Sequence, residues 1–404
     1  MHLALTSPPT VAILTAGRDK PYALGLADAL IEQGIAFEFL GSTAVDSPHL
    51  HQHPLVTFRM FRDQTEGVGK LAKVLRVLHL YRRLITYAFT AKPKVFHILW
   101  NNQIEWFDST VLMALYRLCG RSIVFTAHNV NKGKRDGTDS WWNRLALGIQ
   151  YRLTHHIFVH TERMRDELHH DFGTSIDKIS VIPFGMNSTV PDTALDQAGA
   201  RAQLGLGTTD SDRVLLFFGN IAPYKGLEYL VDAFLKLAAA ETDLRLVIAG
   251  RPKFGESYWD EIEARIEASP FAERVVRRIE YVPDEETEVF FKAADALVLP
   301  YTHIFQSGVL FLGYNFGLPV IATDVGALKD DIVIGETGFV CRPQDAADLA
   351  DSISAFLHHP QFQRHNQNTR KQEIRAFAAD KYSWTKVGQI TKEVYSGISR
   401  EARV

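Results

Sequence analysis

Short apolar runs alternate with amphipathic segments along the chain, and they do so in two series. VAILTA (11–16), AFEFL (36–40), VFHILW (95–100), SIVFTAH (122–128), HIFVHT (156–161) and ISVIPFG (179–185) form the first. VLLFFG (214–219), LRLVIAG (244–250), RRIEYV (277–282), ALVLPY (296–301) and LPVIATD (318–324) form the second. Apolar strands of this length separated by helical segments predict parallel sheets covered on both faces. The expected fold class is α/β, with two doubly wound domains facing each other across a cleft. Such sheets bind ligands at the carboxyl ends of their strands. The polar stretch STVPDTALDQAGARAQLGLGTTDSD reads as the linker region.

A chain of 404 residues with 46% hydrophobic content has enough apolar material for a core in each half. No apolar run approaches the roughly 20 residues of a membrane span, and MHLALTSPPT does not read as a signal peptide. Cys119 and Cys341 lie far apart and fit a reduced, cytoplasmic protein. Residues 1–190 carry a net charge of +5 and residues 191–404 carry −8. A basic first half suits an anionic partner such as a bilayer surface. No nucleic-acid partner is expected.

Chemistry concentrates at a few turns. In QSGVLFLGYNFGLPVIATDVG (306–326), Ser307 is placed to cap a helix that starts at Gly308 and Val309. Free N–H groups and partial positive charge at a helix start suit a phosphate. In FFGNIAPYKGLEYLVDAF (217–234), a strand ends at the Gly219-Asn220 turn and Lys225 precedes a helix. A lysine there neutralises a diphosphate as a point charge. The spacing is not that of a P-loop.

With YVPDEETEVFFKAADALVLPY between them, these segments resemble the GT-B glycosyltransferases of family four and their relatives. The likeness is specific over 214–345 and looser in VAILTAG, FTAHNV and ISVIPFGMN. It implies two Rossmann-like domains: residues 1–190 binding the acceptor, residues 191–380 binding a nucleotide-sugar donor, and residues 381–404 forming a helix that returns to the first domain. By resemblance, Lys225 binds the donor diphosphate and the Gly308 and Val309 amides receive the distal phosphate. His128 reaches the donor sugar near the reaction centre, and Gly17 forms the turn after the first strand.

Three features depart from the family. Ile304 and Leu312 stand where two glutamates are usual, with Gln306 the nearest polar substitute. Residues 220–224 lack the usual arginine, and Arg251 is the candidate replacement. The first-domain turn is GRDKPY rather than a glycine pair. These departures favour an inverting route. Asp19 or His128 is then the base that takes the acceptor proton, and His160 is a weaker candidate. Arg18, Trp100 and Asn101 offer charge, an indole and an amide for the acceptor.

No metal or other cofactor is expected. Asp210-Ser211-Asp212 and HLHQH (49–53) read as exposed loops rather than ligand sets. The segment 70–94 has helical apolar spacing and seven Lys/Arg. It suits either packing on the first domain or a peripheral contact with anionic lipid at the inner membrane face. The expected function is transfer of a sugar from a UDP- or GDP-sugar to a glycan or lipid-linked acceptor, in polysaccharide or glycoconjugate synthesis. The alternatives are a catalytically silent glycosyltransferase-like subunit and a nucleotide-sugar epimerase. The sequence leaves the base, the sugar, the acceptor and the oligomeric state open.

Overall fold

The computed structural model describes residues 10–65, 67, 69–187, 189–206, 212–253, 255 and 257–401. The N-terminal stretch 1–9, Asp210 and Ser211 lie outside them. The chain divides into two compact units, residues 1–185 with 382–404, and residues 186–381. The first divide falls five residues before the boundary drawn from the sequence.

The first unit holds a parallel sheet of seven strands: β1 (Val11–Leu14), β2 (Phe37–Ser42), β3 (Val56–Arg62), β4 (Val95–Ile98), β5 (Ser122–Thr126), β6 (His156–Val159) and β7 (Ile179–Val181). Their order is β3-β2-β1-β4-β5-β6-β7. Val11 pairs with Phe37 on one side and Val95 on the other, so β1 is an interior strand and the order reverses between it and β4. Every residue of β1 and β4 is buried, which explains the unbroken apolar run of β1 and the run of β4 that only His97 interrupts. The edge strand β3, VTFRMFR, largely alternates half-buried and exposed positions instead, so it carries no apolar run.

The helix Trp384–Glu401 belongs to this unit. Its Tyr395 hydroxyl meets His97 Nδ1 at 2.6 Å, and His97 Nε2 meets the Thr126 hydroxyl at 2.7 Å. His97 is fully buried, and desolvation pushes its pKa down to about 3. It therefore joins the helix to the sheet as a neutral imidazole. A Cβ added at Gly25 would lie 2.2 Å from the Trp384 indole, so the glycine makes the seat for that ring.

The second unit holds six parallel strands: β8 (Arg213–Phe218), β9 (Leu244–Ala249), β10 (Val275–Arg278), β11 (Ala296–Leu299), β12 (Val320–Thr323) and β13 (Gly338–Cys341). Their order is β10-β9-β8-β11-β12-β13, with the reversal between β8 and β11. The strand expected at RRIEYV instead starts two residues earlier, at the apolar pair Val275-Val276. It stops at Arg278, whose guanidinium pairs with Glu280 and Glu286 outside the sheet.

The segment read as a linker is part of this unit. Asp196 caps a helix at Gln197–Gln203 by accepting the Gly199 N–H at 2.8 Å. Arg201 from that helix makes a buried ion pair with Asp295 at 2.8 Å and donates to the Ala293 carbonyl at 3.1 Å. Removing one partner of such a pair typically costs about 3–5 kcal/mol. Asp212 is likewise buried and paired with Arg245 at 3.3 Å, so it is no exposed loop residue.

Candidate active site

In the second unit, the end of β8 and the end of β11 carry the expected donor residues. Lys225 closes a short turn, Pro223–Lys225, and is buried. Its ammonium lies 3.8 Å from the centre of the Tyr301 ring. The Tyr301 hydroxyl in turn lies 3.3 Å from the Ser307 hydroxyl. The fully buried Tyr301 thus joins the lysine turn to the start of the helix Gly308–Asn315. Burial raises its phenol pKa, so it stays neutral beside the ammonium. No local sequence signal marks Tyr301, which reads as the last residue of a strand-like run.

Ser307 does occupy the position before the helix, but its hydroxyl does not cap it. That hydroxyl turns to Tyr301 instead. A backbone bond from the Leu310 N–H to the Ser307 carbonyl, at 3.1 Å, closes the first turn. Among the described residues, the Gly308 and Val309 amides have no acceptor within the protein, and Gly308 is exposed. An open helix start of this kind is a ready anion site. Gly219 adjoins it: a Cβ there would sit 3.7 Å from Val309 Cγ2. Asn220, the next residue, is exposed.

Gln306 and Arg251 fare differently. The Gln306 side-chain oxygen is buried with no partner among the described residues, next to the open amides. A buried unpaired amide oxygen costs stability unless a ligand satisfies it. Arg251 is exposed, with its guanidinium 5.4 Å from the Tyr281 ring centre. Its backbone carbonyl holds the Ile221 N–H at 2.9 Å, which aligns the two strand-end loops. Ile304 is half-buried and Leu312 buried, so the usual glutamate positions are apolar here.

In the first unit, the loop after β1 is strained. Ala16 and Asp19 take positive φ of 52° and 43°, and Gly17 takes 65°. Left-handed backbone at non-glycine residues costs on the order of 1–3 kcal/mol each and concentrates at functional sites. At Gly17 a Cβ would come within 2.4 Å of both the Ser42 hydroxyl and the Gln64 amide oxygen, so only glycine fits. Arg18 donates to the Asn102 carbonyl at 2.8 Å and lies 3.6 Å from Glu105. That contact ties the loop after β1 to the loop after β4, at the point where the strand order reverses. Asn101 and Gln150 meet through their amide groups at 3.3 and 3.4 Å, so the Asn101 amide serves to hold its loop.

Asp19 caps the helix Lys20–Glu32, its carboxylate accepting the Tyr22 N–H at 3.2 Å. The residue is exposed, yet desolvation by the surrounding protein raises its pKa, partly offset by that hydrogen bond. His128 moves the opposite way. Desolvation, then the neighbouring His160 and His97, lower its pKa well below that of free histidine. Its ring stacks on Trp100 at 4.3 Å, with an interplanar angle of 1°. The two shifts have opposite signs and give the groups different roles. Asp19 moves toward neutral pH, where a base works best, and His128 moves away from it.

The hydrogen bonds of His160 fix the tautomer of His128. His160 Nδ1 faces the Ile182 carbonyl at 3.3 Å, and a carbonyl only accepts. Burial drives the His160 pKa down to about 4, so the ring is neutral and its Nε2 is an acceptor. That nitrogen lies 3.0 Å from His128 Nδ1, which must then donate. The lone pair of His128 is therefore on Nε2, an atom buried with no partner among the described residues. It is set to accept a hydrogen bond from a hydroxyl.

The remaining candidates are structural. The HLHQH segment forms a short helix, Pro48–Gln52, rather than a loop, with His49 on Asp28 at 2.8 Å and His51 on Asp46 at 2.6 Å. Among the described residues no group of three or more His, Cys, Asp or Glu could hold a metal ion.

Comparison with known proteins agrees with this architecture. Residues 21–189 match the model for Glycosyltransferase Family 4, and residues 212–359 match that for Glycosyl transferases group 1. The chain belongs to the GT-B glycosyltransferases, with a family 4 domain in its first half and a group 1 domain in its second. It is an enzyme of the transferase class.

It is similar to the D-inositol 3-phosphate glycosyltransferase of Corynebacterium glutamicum, at 26% identity over 67% of this chain. The match spans 66% of that relative, about two thirds of its length. Among solved structures, a sucrose-phosphate synthase from Thermosynechococcus elongatus has the same fold, with a TM-score of 0.74 and 19% identity over 98% of this chain and 100% of that one. Anabaena HepE in complex with UDP-glucose gives 0.71 and 18% over 96% and 99%.

Proposed function

We propose that the chain transfers a sugar from a nucleoside diphosphate sugar, with UDP as the nucleotide, to a hydroxyl of an acceptor held by the first unit. One observation carries this reading. Lys225, Tyr301 and the open Gly308 and Val309 amides adjoin each other at the point where the strand order of the second unit reverses. As the bond to the sugar breaks, the diphosphate leaves with growing negative charge, and these groups stabilise it. The proposal assigns that role to them rather than to a metal ion. The HepE complex with UDP-glucose supports the choice of nucleotide. The name of the Corynebacterium relative supports a phosphorylated sugar as one acceptor type.

A thermal-shift titration tests the donor reading, because a ligand that binds only the folded state stabilises it by mass action. UDP and UDP-glucose should raise the melting temperature with saturation, and more than GDP does. A chain indifferent to every nucleotide and nucleotide sugar would end the proposal.

We further propose a peripheral contact of the first unit with anionic lipid. No helix among the described residues is long and apolar enough to cross a membrane. The helix Lys70–Thr90 buries Leu80, Tyr81, Leu84, Tyr87 and Ala88 but exposes Leu71, Val74, Leu75, Leu78 and Phe89. Leu71 is 74% exposed, in the first turn with Lys70 and Lys73. A helix with apolar side chains outside and basic ones beside them suits a bilayer surface. Arg83 does not take part, because its guanidinium packs on Phe61 at 4.6 Å. Flotation with phosphatidylglycerol vesicles should show binding at low salt that falls steeply as salt rises. Leu75→Ser with Leu78→Ser should abolish most of it. Absence of binding at low salt leaves the helix as a packed element only.

A further inference from the structure

We propose that the first unit carries a site for a phosphate group of the acceptor, formed by Arg62, Lys73 and Arg76 beside the strained loop after β1. This inference rests on the acceptor role given to that unit under the proposed function. A solvent-open cavity of about 250 Å³ is lined by Arg62, Asp63, Gln64, Lys73, Arg76 and Gln103, among others. It has room for a phosphate group.

The charge of the cavity is unbalanced. Among the described residues that line it, three cations face one carboxylate, and Asp63 is already taken by Arg76 at 2.8 Å. Among the described residues neither Arg62 nor Lys73 has a carboxylate partner. Arg62 is fixed by donating to the Ala16 carbonyl at 2.8 Å, which leaves most of its donors available. Its pKa is lowered, by desolvation and then by the like charge of Arg18. Positive charge held close together without an anion is a binding site for one.

The cavity reaches the acceptor loop directly. The Gln64 amide oxygen, buried and without a partner among the described residues, lies against Gly17. An acceptor phosphate between Arg62 and Lys73 would place the rest of that molecule beside Gly17, Arg18 and Asp19. A phosphate ester meets this chemistry whether it belongs to a soluble phosphorylated sugar or to a lipid headgroup. The exposed leucines on the same helix as Lys73 and Arg76 are compatible with the lipid source.

The test uses the full chain with inorganic phosphate as the probe, at constant ionic strength and with saturating UDP. UDP occupies the open helix amides of the second unit, so the phosphate response reports the first. The parent protein should show saturable thermal stabilisation. The Arg62→Gln, Lys73→Gln double variant should bind phosphate about tenfold or more weakly, as expected for lost charge-assisted hydrogen bonds. Its response to UDP should be unchanged. Lys73→Gln alone, at an exposed side chain whose loss leaves the fold intact, should show a smaller loss in the same direction.

A parent protein that ignores phosphate, or variants that bind it as well as the parent, would overturn the proposal. If UDP fails to bind, the donor reading fails by itself, and the same titration in a Lys225→Ala background still decides this one. Vesicles containing phosphatidic acid then separate the sources. Vesicle binding lost in the double variant, along with phosphate binding, supports the lipid source. Vesicle binding kept, with phosphate binding lost, supports a soluble phosphorylated sugar.

Discussion

Asp19→Asn should lower kcat by about 10²–10⁴ and leave donor affinity nearly intact, the loss typical of removing a positioned base. The substitution keeps the shape of the side chain. The amide oxygen can still accept the Tyr22 N–H that Asp19 accepts at 3.2 Å, so the cap and the helix behind it survive. Only the proton-accepting capacity is lost. The raised pKa of Asp19 sets the pH dependence. Activity of the parent protein should fall as pH drops through that raised pKa, and the residual activity of the Asn variant should lack that limb. His128→Ala should behave differently, raising KM for the substrate whose hydroxyl meets Nε2 without removing the acid limb. Product stereochemistry follows from the same assignment. A carboxylate base on the acceptor fits inversion at the anomeric centre, which the anomeric coupling of the product reads by NMR. Retention, together with near-normal turnover in Asp19→Asn, would remove both the base and the inverting route.

Lys225→Ala should weaken UDP binding by about 1.5–3 kcal/mol, the usual worth of a hydrogen bond to a charged group. The ammonium is 3.8 Å from the Tyr301 ring centre, so the aromatic face orients it while burial strips it of most of its water. A poorly hydrated cation gains more from an arriving diphosphate than an exposed one does. The variant should keep its fold, because the neighbouring backbone bond from the Thr302 N–H to the Tyr224 carbonyl, at 2.9 Å, does not involve the side chain. Isothermal titration measures the difference directly. Equal affinity in parent and variant would take Lys225 out of the donor site. Tyr301→Leu is the informative companion: it keeps the charge but removes the platform and the link to Ser307.

The parallel strands were legible because burial on both faces leaves few polar residues to interrupt them, and none in β1 and β11. The two phosphate-type turns were legible for a similar reason, since glycine, lysine and a following helix are local features. What escaped was set by distant partners. Arg201 sits in a stretch whose composition reads as a loop, and only Asp295 reveals why it is buried. Ser307 has the right identity and position for a cap, but the Tyr301 hydroxyl competes for its side chain. His160 looked like a weaker copy of His128, and its part in fixing a tautomer depends on the Ile182 carbonyl, 22 residues further along the chain. The cations of the phosphate cavity come from β3 and a separate helix, with no motif joining them.

The closing helix has a consequence for the order in which the molecule can be made. All seven strands of the first unit have been synthesised once residue 181 emerges, but the partner of His97 and the ring seated on Gly25 arrive some two hundred residues later. Until then Val11, Ile13, Tyr22, Leu26 and their neighbours lack Val387, Tyr395 and Ile398, which complete that core. The second unit, by contrast, is one uninterrupted stretch of chain. During translation it has every segment it needs while the first unit is still waiting for its last, so the nascent molecule depends on whatever shields that unfinished face.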